Sequence, residues 1–84
     1  MSTSEKTVKV RYFAILREES GLAQETIQTS AATLSDLYEE VKVRHQLSLP
    51  TARLRVAVND SFTSFQDPVE AGSEIVFVPP VAGG

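Results

Sequence analysis

Apolar and polar positions alternate along the stretch from Val8 to Leu16. Val8, Val10, Tyr12 and Ala14 fall on one side, and Lys9, Arg11, Phe13 and Ile15 on the other. A two-residue period marks a half-buried strand. The even positions read as core, which places Phe13 on the face that carries Lys9 and Arg11. An aromatic on a polar face is more informative than one in a core. Glu18-Glu19-Ser20-Gly21 reads as a polar turn, with glycine supplying a positive φ. Glu25 to Thr29, around Ile27, reads as a second strand pairing back on the first. From Thr33 the period lengthens: Leu34, Leu37, Tyr38 and Val41 recur at helical spacing. Thr33-x-x-Asp36 resembles a capping box, and Asp36 suits the positive end of a helix. Leu47 and Leu49 close the same core, and Pro50 forbids further helix.

Alternation returns from Arg53 to Asn59, with Leu54, Val56 and Val58 against Arg53, Arg55 and Ala57. Asn59-Asp60 is a turn signal. Phe62 and Phe65 follow in a short irregular stretch, broken by turns at Asp67-Pro68 and Ala71-Gly72-Ser73. Glu74 to Val78 is a last strand. Its unbroken run Ile75-Val76-Phe77-Val78 suits a central position, covered at least in part on both sides. Pro79-Pro80 ends it, because neither residue can donate to a ladder. The order of strand, strand, helix, strand, short elements and strand predicts an α+β domain: a β-grasp, or ubiquitin-like, fold with a mixed sheet packed on one main helix. The last strand would lie beside the first. Residues 1–6 read as a disordered N-terminus, 7–80 as the domain, and 81–84 as a flexible tail.

Composition narrows the chemistry. At 84 residues and 9.2 kDa the chain makes one small domain. Cysteine is absent and histidine occurs once, which excludes thiolate metal sites, iron–sulfur clusters, a cysteine nucleophile and paired-histidine catalysis. A net charge of -3 argues against non-specific binding to nucleic acid or anionic lipid. No apolar run approaches the roughly 20 residues of a membrane span. Met1 to Lys6 is polar and lacks the apolar segment of a secretory signal, which makes the cytoplasm the expected compartment.

The candidate chemistry lies in Val81-Ala82-Gly83-Gly84. Two glycines fit a tunnel too narrow for any Cβ, adopt almost any φ/ψ and leave a terminal carboxylate unhindered. Extended, this tail reaches roughly 13 Å from Pro80, and the two prolines stiffen its base as polyproline II. Phe77-Val78-Pro79-Pro80-Val81-Ala82-Gly83-Gly84, with Val10-Arg11-Tyr12-Phe13-Ala14 and Ala57-Val58-Asn59, resembles the small subunit of molybdopterin synthase, a ubiquitin-like sulfur carrier family. The resemblance implies a non-catalytic subunit of a heterotetrameric sulfurtransferase. No cofactor would be bound permanently, and no metal. A ubiquitin-activating-type partner would consume ATP to adenylate the carboxylate of Gly84. Sulfur from a persulfide donor would displace AMP and leave a thiocarboxylate. Pro79, Pro80, Val81, Ala82 and Gly83 would enter the large synthase subunit, where the sulfur passes to a cyclic pyranopterin precursor. The logic is sound for a chain without its own base, since adenylation supplies the leaving group a carboxylate lacks.

The same resemblance puts Phe13, Phe62 and Val78 where the family packs apolar side chains on the large subunit. The family often has an aromatic at the position of Val78. Arg11, Arg17, Arg53 and Arg55 read as solvated charges, with a basic rim near the tail as the sharper alternative. Glu39-Glu40 reads as a solvated helix face, and His45 as a solvent-facing cation suited to the helix end. Leu37 and Tyr38 read as core. A thiamine-type sulfur carrier, a protein modifier conjugated through Gly84 and an inert interaction domain remain as alternatives.

Overall fold

The computed structural model describes residues 5–80. Its strands are β1 (Lys6–Tyr12), β2 (Gln24–Thr29), β3 (Arg55–Val58), β4 (Ser61–Thr63) and β5 (Glu74–Val78). Its helices are α1 (Ala14–Ser20) and α2 (Leu34–His45), with a short 3-10 turn at Thr51–Arg53. The five strands form one sheet in the order β2-β1-β5-β3-β4. β5 runs parallel to β1, with Val10 opposite Ile75 and Tyr12 opposite Phe77. It runs antiparallel to β3, with Val56 opposite Phe77 and Arg55 opposite Val78. The terminal strand is therefore central, in the mixed β-grasp sheet that the element order predicts.

Alternation divides the sheet into two faces. Val8, Val10, Tyr12, Ile27, Val56, Ile75 and Phe77 form one core cluster with Leu34, Leu37, Tyr38 and Val41 of α2. Tyr38 meets Phe77 edge to face, with ring centroids 5.0 Å apart. Its hydroxyl donates to the Leu49 carbonyl at 2.6 Å, and burial pushes the phenol's pKa up to about 12. Thr33 caps α2 as its spacing predicts, its hydroxyl accepting from the Asp36 amide at 3.2 Å. No helix among the described residues is long and apolar enough to cross a membrane.

Three elements differ from the sequence expectation. β1 begins at Lys6, which pairs with Thr29 and donates from Nζ to the Ala31 carbonyl at 2.9 Å, so this residue belongs to the domain and not to a frayed end. β1 also ends at Tyr12 and does not continue to Leu16. Ala14 takes a φ of 52°, the chain turns sharply, and Ala14–Ser20 coils into α1. Ala14, expected in the core, is exposed, while Leu16 is fully buried from the helix. The amide of Gly21, with φ 78°, caps α1 by donating to the Arg17 carbonyl. Finally, Phe62 sits in a short strand, not in irregular chain. Asn59 and Asp60 both adopt positive φ, the geometry of a tight two-residue hairpin, and set Phe62 opposite Ala57.

Candidate functional site

The site is built at the end of the sheet where β5 runs out. Pro79 is buried, and Pro80, the last described residue, is exposed. Gly83 and Gly84, together with Val81 and Ala82, lie outside the described residues. The face of the sheet opposite α2 leads up to this exit. On it β1 presents Lys9 and Arg11, β5 presents Val76 and Val78, β3 presents Arg55 and Ala57, and β4 presents Phe62. Phe13 joins them because its backbone stays extended, at φ -128° and ψ 154°, before the turn at Ala14. The register of Tyr12 with Phe77 then brings Phe13 level with Val78. Phe13 is 41% exposed and Phe62 63%, whereas Val78 is half-buried between them. Ala57 is buried but outside the core cluster, as a small residue in the middle of this second face should be.

Each exposed aromatic carries an arginine. The Arg11 guanidinium lies 5.4 Å from the Phe13 ring centroid, and that of Arg55 lies 5.1 Å from the Phe62 ring. Arg11 also pairs with Glu74 at 3.1 Å. A groove of about 600 Å³ opens beside the exit, lined by Arg53, Arg55, Phe62, Val78, Pro79 and Pro80 among others. Phe13, Phe62 and Val78 thus share one face and one end of the molecule with the root of the tail. Arg11, Arg53 and Arg55 flank that end.

Residues 10–84 match the ThiS family. The chain belongs to the ThiS family. Among ThiS-like relatives it is 34% identical over 80 residues to the molybdopterin synthase sulfur carrier subunit of Escherichia coli (strain K12), covering 92% of this chain and 99% of that one. Its fold is similar to that of the putative molybdopterin converting factor, subunit 1, from Pyrococcus furiosus. There the TM-score is 0.74 at 29% identity, with 90% of this chain and 99% of that chain covered. It is also similar to a chain in the complex of subunits 1 and 2 of the molybdopterin-converting factor from Helicobacter pylori, with a TM-score of 0.61, 26% identity, and 93% and 99% covered.

The ThiS-family chain holds a second polar group that the sequence reading missed. His45 does not face solvent. Its Nε2 lies 2.7 Å from Glu25 Oε2, and its ring stands edge-on to Tyr12 with centroids 5.7 Å apart. The Tyr12 hydroxyl donates to the same carboxylate oxygen at 2.6 Å. Burial and this carboxylate drive the Tyr12 phenol's pKa well above its usual range. For Glu25 burial pushes upward, but the hydrogen bonds from Tyr12 and His45, with the charges of His45 and Arg44, outweigh it and lower the carboxyl's pKa. Glu40 is likewise not merely solvated: it accepts from the Thr29 hydroxyl at 2.6 Å and lies 3.8 Å from Arg44. These contacts tie α2 to β2 along the margin of the core. The available signal was Glu25 in an otherwise uncharged strand, too common a feature to name a partner.

Proposed function

We propose that this chain is the sulfur carrier subunit of molybdopterin synthase, with the carboxylate of Gly84 as the atom group that carries the sulfur. The observation that supports this most is the exit geometry. The last strand is clamped between β1 and β3, and it delivers the chain at Pro80 beside the exposed aromatics Phe13 and Phe62. A partner can grip that face while the tail extends into it, which lets binding energy position a remote reacting group. The kinship to sulfur carrier subunits points the same way.

In this reading an adenylating enzyme joins the Gly84 carboxylate to AMP and releases pyrophosphate from ATP. A persulfide donor then displaces AMP to form an acyl disulfide, and a thiol cleaves its S–S bond, leaving the thiocarboxylate on Gly84 and the donor as a disulfide with that thiol. The large synthase subunit then receives the tail through Pro79, Pro80, Val81, Ala82 and Gly83, and packs on Phe13, Phe62 and Val78. The carrier supplies rigidity at the root, a slim end and a docking face; its partners supply the chemistry.

Intact-mass measurement of the chain purified with its partners tests the assignment. A carrier exchanges one oxygen for one sulfur. A modifier appears as larger conjugates through Gly84, and an inert domain does neither. Deleting Gly84 withdraws the carboxylate by roughly 3.5 Å, far outside near-attack tolerance, and abolishes thiocarboxylate formation with unchanged thermal unfolding. Full sulfuration of the shortened chain overturns the reading. Gly83→Ala folds normally and reacts slowly, because a Cβ enters a passage shaped for glycine.

A further inference from the structure

The two arginine–aromatic pairs on the open face look alike in geometry and differ in charge. Arg11 over Phe13 is neutralised by Glu74 at 3.1 Å. Arg55 over Phe62 has no carboxylate within 4.0 Å among the described residues, and neither has Arg53 beside it. Arg55 and Arg53 border the groove at the tail exit, whose apolar lining includes Phe62, Val78 and Pro79. This uncompensated positive edge stands on a chain whose net charge is -3.

An arginine held over an aromatic ring, as Arg55 is at 5.1 Å from the Phe62 centroid, can still offer its forked donors to a carboxylate, a geometry that lysine does not reproduce. The contact with the ring also restrains the side chain, so less entropy is lost when a partner engages it. We infer that Arg55 is a specificity contact: the docking partner places a carboxylate against the Arg55 edge while its apolar surface covers Phe62 and Val78. The Arg11–Glu74 pair is already compensated and covers Phe13 without offering an unpaired charge. The occupant is therefore an acidic-rimmed apolar protein surface, and the charge selects the partner at encounter more than it strengthens the final complex. The inference rests on the docking reading above and refines it.

The test measures affinity of the full chain for the large synthase subunit at low and high salt. Arg55→Gln lowers affinity roughly fivefold at low salt and flattens the salt dependence. Arg55→Lys restores the salt dependence and recovers only part of the affinity. Joint replacement Arg11→Gln and Glu74→Gln leaves the salt dependence unchanged. Phe62→Ala serves as the reference for docking itself. If Phe62→Ala weakens binding while Arg55→Gln matches wild type in affinity and salt dependence, the charge assignment is overturned and the docking face stands. If neither variant changes binding, the docking reading falls, and the charge assignment with it.

Discussion

The two faces of this sheet both carry large apolar side chains and behave oppositely. Under α2, Val8, Val10, Tyr12, Ile75 and Phe77 are sealed, and Phe77 is 0% exposed. On the other face Phe13, Val76, Val78 and Phe62 repeat the apolar theme with no helix over them among the described residues, and arginines lie over the aromatics instead. Alternation in β5 sends Phe77 to the first face and Val78 to the second, so neighbouring residues serve different ends. One face uses apolar area to hold the fold. The other keeps it available at modest cost to solubility, because each ring is partly covered by a charged group that itself stays hydrated.

That division can be broken from either side. Phe77→Ala empties a sealed site and loses about 3–5 kcal/mol of stability, read as a lower denaturant midpoint. Phe62→Ala and Phe13→Ala change stability by less than about 1 kcal/mol. Each instead weakens partner binding by about 2 kcal/mol, roughly thirtyfold. A large stability loss in Phe13→Ala, with affinity unchanged after correction for unfolded protein, would return that residue to the core. Thr33→Ala removes the cap of α2 and costs about 1 kcal/mol, with partner binding untouched because the helix covers the sealed face. The smallest effect is in acid. The folded pKa of Glu25 is depressed, so its contribution is complete above the unfolded glutamate value of about 4.3 and is lost as pH falls through the folded value. Glu25→Gln removes that part of the acid sensitivity of unfolding, while the pH dependence of partner binding stays that of the parent chain.

Much of this contrast was legible in sequence. The even positions of β1 and the spacing of Leu34, Leu37, Tyr38 and Val41 identify the sealed face without a structure. The parity of Phe13 identifies the open one. Pattern alone failed where a short local event interrupts it. Ile15 and Leu16 continue the alternation in letters, but Ala14 turns at positive φ, a conformation few non-glycine residues announce. Ala-Ile-Leu-Arg-Glu-Glu-Ser followed by Gly is also a serviceable helix with its terminator, and a window that short supports either reading. His45 and Glu25 were illegible for another reason. Their meeting depends on how α2 lies across β2, a long-range outcome that no spacing encodes. The contact of Arg55 with Phe62 is similar: that arginine reads as a solvated charge until the register of β3 with β4, with Ala57 opposite Phe62, brings it over the ring.

The central place of β5 governs how the domain yields. Within the sheet of the described residues, β2-β1 on one side and β3-β4 on the other are joined through this strand. β5 therefore cannot fray by itself: losing it severs the sheet into two hairpins, each too small to persist. Its amides should exchange with solvent only through global unfolding, among the slowest in the molecule. A partner that draws on the chain beyond Pro80 loads two ladders at once, one parallel and one antiparallel, and a tug that would peel an edge strand is spread over the whole sheet.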